Sequence, residues 1–192
     1  MTAAKDPEEW ERRYRHGVIA PWFFARQTAG DPAVPGTVRG TVIHGVLERI
    51  EEQRELARIL DEVIGGLDEP ELAPLMAPGT SYRDALEEEI RRVVESDKWK
   101  WYVEGEHYRE LPFAHLADAT ECRIGALDLY RPADDALVID FKTHEIDAEQ
   151  AVKVAQDYAI QVRVYQEAAM IRSSASVRLF FTNPGIEVEA AR

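Results

Sequence analysis

Two aspartates and a lysine stand close together in the chain. Asp128 lies in Gly125-Ala-Leu-Asp128-Leu-Tyr130, and Asp140 and Lys142 lie in Leu137-Val-Ile-Asp140-Phe-Lys142-Thr143. Carboxylates that share a divalent cation, with a lysine beside them, are equipped to direct water at a phosphodiester. Apolar residues alternate on both sides of Arg131-Pro-Ala-Asp-Asp135, which predicts two strands joined by a polar turn. If Tyr130 pairs with Ala136, Asp128 falls opposite Val138. Strand side chains alternate faces, so Asp128, Asp140 and Lys142 then share one side of the sheet. A salt-bridged pair at a strand end is the plain alternative for Asp140 and Lys142. The apolar strand that delivers them weighs against it, because buried charge needs a partner.

Other residues join this trio with less to mark them. Glu110, in Tyr108-Arg109-Glu110-Leu-Pro112-Phe113, is either a partner of Arg109 or a carboxylate near a cation. Pro112 places an edge or a bulge in that strand, since proline donates nothing to a ladder. Gln161 and Tyr165 lie four apart on one helical face, and a half-buried amide needs partners. His44, in Gly40-Thr-Val-Ile-His44-Gly-Val-Leu-Glu48, sits on the more apolar part of its helix, where a lone histidine is usually structural. His16, His107, His115 and His144 receive no role.

The elements that must position these groups follow from periodicity. Glu8 to Gln27 reads as a helix, followed by the breaker-rich Gly30-Asp-Pro-Ala-Val-Pro-Gly36. Apolar residues from Thr41 to about Ile64 recur with a helical period, and Gly65-Gly66 ends that run. Pro70 to Gly79 reads as a loop, and Ser81 opens a helix to about Ser96. Val103 to Leu116, Cys122 to Tyr130 and Ala136 to Lys142 read as three strands. Asp147 begins a helix to about Ile171, and Val177 to Thr182 is a fourth strand closed by Asn183-Pro-Gly185.

The 192 residues are 45% hydrophobic, enough for a real core. A single cysteine, Cys122, excludes an internal disulfide, a four-cysteine zinc site and an iron–sulfur cluster held by this chain alone. A reducing, cytoplasmic setting fits that count, and no apolar stretch approaches a membrane span. The net charge of −13 opposes the basic footprint of most nucleic-acid binders. Bound cations would offset acid within a site, and strong autonomous DNA binding is not expected.

Together these residues resemble the PD-(D/E)xK nuclease superfamily, in particular the RecB/AddA-type domain that ends bacterial helicase–nucleases. The resemblance covers roughly Gly36 to Thr182. It rests on Gly40-x-x-x-His44-x-x-x-Glu48, Arg109-Glu110-x-Pro112-Phe113, Gly125-x-x-Asp128, Asp140-Phe-Lys142-Thr143 and Gln161-x-x-x-Tyr165, five motifs in the family's order. It implies an α/β restriction-endonuclease-like core: a mixed four-stranded sheet flanked by helices in the order αβββαβ, with an added N-terminal helical region. One nuclease domain would occupy 1–192, with 1–97 mainly helical and carrying His44, and 98–192 forming the β-β-β-α-β core. By the same resemblance Asp128, Asp140, His44 and the backbone carbonyl of Phe141 would hold Mg²⁺ or Mn²⁺. Lys142 would act on the attacking water and the phosphate, Glu110 would support the metal shell, and Gln161 and Tyr165 would position Lys142. The substrate would be DNA, as a single strand or a duplex end, the products would carry 5′-phosphate and 3′-hydroxyl ends, and the partner would be a helicase in the same or another chain.

The sequence departs from the large relatives in two respects. It has no G-x-x-x-x-G-K-[ST] loop, so the ATPase motor is missing, and it lacks the cysteines of iron–sulfur relatives. Its abrupt start and its ending soon after the fourth strand favour a domain cut from a longer protein. Two other readings compete with the nuclease. One is a catalytically weak nucleic-acid- or protein-binding module of the same fold, which the acidity motivates. The other is a structural α/β domain whose acids are ordinary ion-pair partners.

Overall fold

The computed structural model describes residues 36–68, 70–116, 122–132, 136–169 and 175–189. The expected helix from Glu8 to Gln27 and most of the turn after Arg131 lie outside these residues.

Helix α1 spans Gly36–Arg49 and buries Val38, Val42, Ile43, Val46 and Leu47, a stripe at helical spacing. The long helix expected from Thr41 to Ile64 is in fact two. After α1 the chain passes through a 3-10 turn at Gln53–Glu55 before α2 resumes at Leu56–Gly65. The cause lies elsewhere in the chain. Arg109, on the first strand, donates from Nη1 to the carbonyls of Leu47, Glu48 and Ile50, the last at 2.6 Å. A cation there satisfies the exposed carbonyls of the helix end and its negative dipole. Arg109 also lies 5.3 Å over the Trp99 ring, so it serves packing and is not a partner of Glu110.

The stretch after Gly66, expected as a loop, holds a 3-10 segment at Pro70–Met76. Helix α3 (Ser81–Glu95) starts on Thr80, whose side chain accepts from Arg83 N, and α4 (Asp97–Val103) starts on Ser96 in the same way. The strands are β1 (Tyr108–Leu116), β2 (Cys122–Arg131), β3 (Leu137–Lys142), β4 (Ser176–Phe181) and β5 (Ile186–Glu189). They lie side by side in chain order. Only β3 and β4 run parallel, and α5 (Ala148–Ala155) and α6 (Ala159–Ala169) provide the crossover that this pairing requires. The expected helix from Asp147 is thus broken by a 3-10 turn at Gln156–Tyr158.

Among the described residues the sheet has five strands where four are expected. The turn over residues 182–185 reverses the chain, and Ile186–Glu189 pairs back on β4. The sheet separates two cores. Helices α1 to α4 cover Leu129, Leu137, Ile139, Phe141 and Phe180 on one face. On the other, α5, α6 and the turn between them cover Leu127, Val138, Val177, Leu179 and Phe181. All six residues of β3 are buried, so its acid and lysine reach the site from a central strand.

Candidate metal and phosphodiester site

Tyr130 pairs with Val138, two residues from the register expected. The shift is even, so Asp128 still falls opposite a β3 residue of the same parity as Asp140 and Lys142. Its effect is to set Asp128 opposite Asp140 rather than Val138. Regular pairing between β2 and β3 extends only as far as Leu129 and Ile139, although both strands continue. Beyond that point the Phe141 N–H donates to Asp128 Oδ2 at 2.7 Å. A carboxylate has replaced a rung of the ladder.

The same row contains a second irregularity. Glu110 faces Asp128 between the paired rungs Arg109–Leu129 and Leu111–Leu127, and its φ is +46°. A left-handed glutamate costs roughly 1–2 kcal/mol, a cost typical of functional sites. On both strands the buried face changes across this row. Leu127 packs under α6 while Leu129 packs under α1, though residues two apart in a regular strand share a face. Two strands therefore turn over at the position where their acids meet.

His44 reaches the row from α1. Its Nε2 lies 3.1 Å from the Phe141 carbonyl and its Nδ1 lies 3.5 Å from Asp128 Oδ2. Ligand atoms of His44, Glu110 and Asp128 all fall within 4.8 Å of one another. Asp140 is 2.6 Å from Lys142 Nζ through Oδ2, yet that buried oxygen has no aligned hydrogen-bond donor. Three carboxylates, an imidazole and a carbonyl form a donor set suited to a hard divalent cation. His44 and the Phe141 carbonyl, 3.1 Å apart, would be the neutral donors of that set.

Electrostatics agree with an excess of negative charge awaiting a cation. Burial, and then the neighbouring Asp140, push the Asp128 carboxyl well above the usual range. Burial and Asp128 raise Glu110 to about 7. His44 is lowered by the surrounding protein against the pull of Asp140 and Glu110, although 31% of its side chain is open. It is thus neutral and has a lone pair to give.

The raised carboxyl of Glu110 has a consequence for stability. The unfolded residue ionises near 4.5 and the folded one near 7, so between those values the folded state holds the extra proton. The Glu110 contribution to the stability of the metal-free protein should be full below pH 4.5, fall as pH rises toward 7, and be lost above it. Glu110 contributes about 2 kcal/mol of that fall once solvent screening is allowed for. Denaturant titration in chelator at pH 5 and pH 8 would measure it, with Glu110→Gln as the comparison. An equal pH dependence in both proteins would refute the assignment to Glu110.

Lys142 is held from three sides. Its Nζ donates to Gln161 Oε1 at 2.9 Å, and Gln161 Nε2 donates to the Tyr165 hydroxyl at 2.6 Å. The ammonium also lies 4.0 Å above the Tyr158 ring. The sequence gives neither Tyr158 nor His144 a role in the site. Tyr158 is buried, but it also carries the lysine on its face, and its hydroxyl meets His144 Nε2 at 3.2 Å. The signal available was spacing alone, since Tyr158 precedes Gln161 by three and shares its helical face. Gly125 proves to have a packing reason: a Cβ there would meet the Phe113 ring at 2.8 Å, and Phe113 packs edge-on against Tyr165.

Behind the site lies a network with no signature in the sequence. Arg39 of α1 donates to Glu89 of α3 and to the carbonyl of Thr143, just past Lys142. Thr182 donates its hydroxyl to Glu89, and its N–H to the Lys142 carbonyl at 2.9 Å. The ends of β3 and β4 are tied through this network to two helices on the far face.

The profile of the PD-(D/E)XK nuclease superfamily matches residues 4–187. The chain is also 26% identical over 159 residues to an ATP-dependent helicase/nuclease of Exiguobacterium sibiricum, an alignment covering 71% of this chain and 13% of that protein. No helix among the described residues is long and apolar enough to cross a membrane. The match over nearly the whole chain, and a mixed sheet whose acids gather at one row with the lysine beside them, lead to one conclusion: this chain belongs to the PD-(D/E)XK nuclease superfamily.

Proposed function

We propose that the chain is a metal-dependent deoxyribonuclease, an exonuclease on single strands or duplex ends, working in the cytoplasm with a helicase in DNA repair and recombination. The observation that carries the reading is the convergence of His44, Glu110 and Asp128 within 4.8 Å of one another, with Asp140 beside Asp128 and carrying a buried oxygen that lacks an aligned donor. The helicase association draws on the likeness to the Exiguobacterium helicase/nuclease, of which the aligned region is 13%.

Asp128, Asp140, His44 and the Phe141 carbonyl would hold Mg²⁺ or Mn²⁺, with Glu110 close enough to join them. Such an ion lowers the pKa of bound water and polarises a phosphoryl oxygen. Lys142 presents its ammonium beside Asp140, where it orients water and meets charge growing on the phosphate. Gln161 fixes the direction of that ammonium, Tyr165 fixes Gln161, and the Tyr158 ring supports it from below. His44, with 31% of its side chain open, leaves a way for water to reach these groups.

Labelled single-stranded DNA with Mg²⁺ or Mn²⁺ tests the proposal. Wild-type protein should cleave, and Asp140→Ala should lose roughly 1,000-fold or more in rate. Equal cleavage by the two proteins would remove the assignment. The net charge of −13 favours one second reading, a binding module of the same fold with little activity. Its mark would be absence of cleavage together with absence of Mn²⁺ binding by calorimetry.

A further inference from the structure

A pair of stacked tyrosines, Tyr108 exposed and Tyr130 half-buried, lies one row of the sheet from the acids. Tyr108 of β1 and Tyr130 of β2 are cross-strand partners, their rings stacked at 6.4 Å between centroids and 26° between planes. Tyr108 is 44% exposed, one of the most open large apolar side chains among the described residues. Tyr130 packs at the margin of the core under α5 and α6, and its partner on β3, Val138, lies within that core. Asp140 is two residues from Val138, Asp128 is two from Tyr130, and Glu110 is two from Tyr108. Successive rows therefore read Tyr108, Tyr130, Val138 and then Glu110, Asp128, Asp140.

Two residues along a strand cover about 6.7 Å. That is close to the advance of one nucleotide in an extended single strand. A phosphate at the acidic row would thus bring a neighbouring base level with the tyrosines. The cations nearby are already engaged. Arg131 lies 4.3 Å over the Trp101 ring and donates to the Glu104 carbonyl, while Arg109 caps α1. The Tyr108 hydroxyl donates to Glu106 Oε1 at 2.6 Å, which anchors the ring edge while 44% of the residue stays exposed. Recognition here would rest on an aromatic face and not on charge, which suits a chain of net charge −13.

We propose that Tyr108 and Tyr130 form a stacking subsite for an unpaired nucleobase of the substrate strand, next to the phosphate at the acidic row. The proposal rests on the nuclease reading above. It assigns the subsite to single-stranded substrate, because a base held within a duplex has no free face to offer.

Binding of a fluorescent thymidine oligonucleotide of about ten residues tests it, with Ca²⁺ supplied so that the strand stays intact. Tyr108→Leu keeps an apolar partner for Tyr130 but removes the aromatic face, and should weaken binding roughly 5- to 30-fold. Tyr108→Phe loses only the hydroxyl and should stay within about twofold of wild type. A strand of the same length without bases should bind wild type and Tyr108→Leu equally. An unchanged affinity in Tyr108→Leu, or an equal loss for the baseless strand, would overturn the subsite. Cleavage assays in Mg²⁺ and Mn²⁺ separate the two ideas. Normal cleavage with affinity insensitive to Tyr108 removes the subsite alone, and base-dependent binding without cleavage keeps the subsite and removes the catalytic reading. Failure to bind the oligonucleotide at all would remove both.

Discussion

Asp128→Asn is expected to reduce DNA hydrolysis roughly 1,000-fold, about 4 kcal/mol of barrier, while making the metal-free protein more stable. The two effects share one cause. Asp128 is crowded by Asp140 and enclosed by protein, so its charge is unfavourable until a cation arrives. Asparagine keeps an oxygen for the Phe141 N–H, which the aspartate now holds at 2.7 Å. It removes only the charge. A gain of about 1–2 kcal/mol in chelator follows, since a neutral group of the same shape relieves the buried repulsion. Adding Mn²⁺ should then stabilise wild type far more than the variant. Alanine at the same position would behave differently, because it also strips the Phe141 amide of its acceptor. Thermal unfolding with and without metal, beside a cleavage assay, would decide the matter; a destabilised Asp128→Asn in chelator would contradict the account.

Glu89→Ala is expected to cost about 3–5 kcal/mol, or roughly 10 °C in Tm, without touching the carboxylate row. Glu89 and Arg39 are both buried, at 4% and 6% exposure. Removing the acid leaves a guanidinium inside the protein with the Thr143 carbonyl and the exposed Glu145, 3.5 Å away, as its remaining partners. Thr182 loses an acceptor at the same time. Glu89→Gln should lose less, about 1–2 kcal/mol, since its amide oxygen still accepts from Arg39. The exposed neighbour Glu88, changed to Ala, should stay within about 0.5 kcal/mol of wild type. Denaturant midpoints for the three proteins give the comparison. A loss below 1 kcal/mol for Glu89→Ala would show that the network is not what holds the ends of β3 and β4.

Much of the site is legible in the sequence because strand alternation survives an even error in register. The pairing of β2 on β3 expected from the turn lies two residues away from its true position, yet an even shift keeps Asp128 opposite the β3 residues that share the parity of Asp140 and Lys142. Asp128, Asp140 and Lys142 therefore meet as expected. Gln161 stands out for want of partners, and it has two, Lys142 and Tyr165. What stays hidden depends on contacts across the chain. Nothing near Ile50 announces a helix break, because the residue that caps it, Arg109, is 59 positions away. The left-handed backbone of Glu110 leaves no mark in a pattern of apolar and polar residues. The fifth strand is four residues long and half-buried, too short for alternation to register beside the Asn183-Pro-Gly185 turn that introduces it. Arg39 and Glu89 look like surface charges on amphipathic helices, and only the packing of α1 on α3 makes them internal.

The long-range ties bear on modularity. His44 meets Phe141, Arg39 meets Thr143, Glu89 meets Thr182, and Arg109 closes the end of α1. Each of these joins the helical first half to the sheet, and together they surround the same row of acids. The helical region is thus no appendage that could be exchanged or trimmed independently of the strands. The spacing from Arg39 to His44 on α1 is constrained at both ends. A transplant of β1 to β3 alone would carry the carboxylates without the imidazole and without the brace behind Lys142.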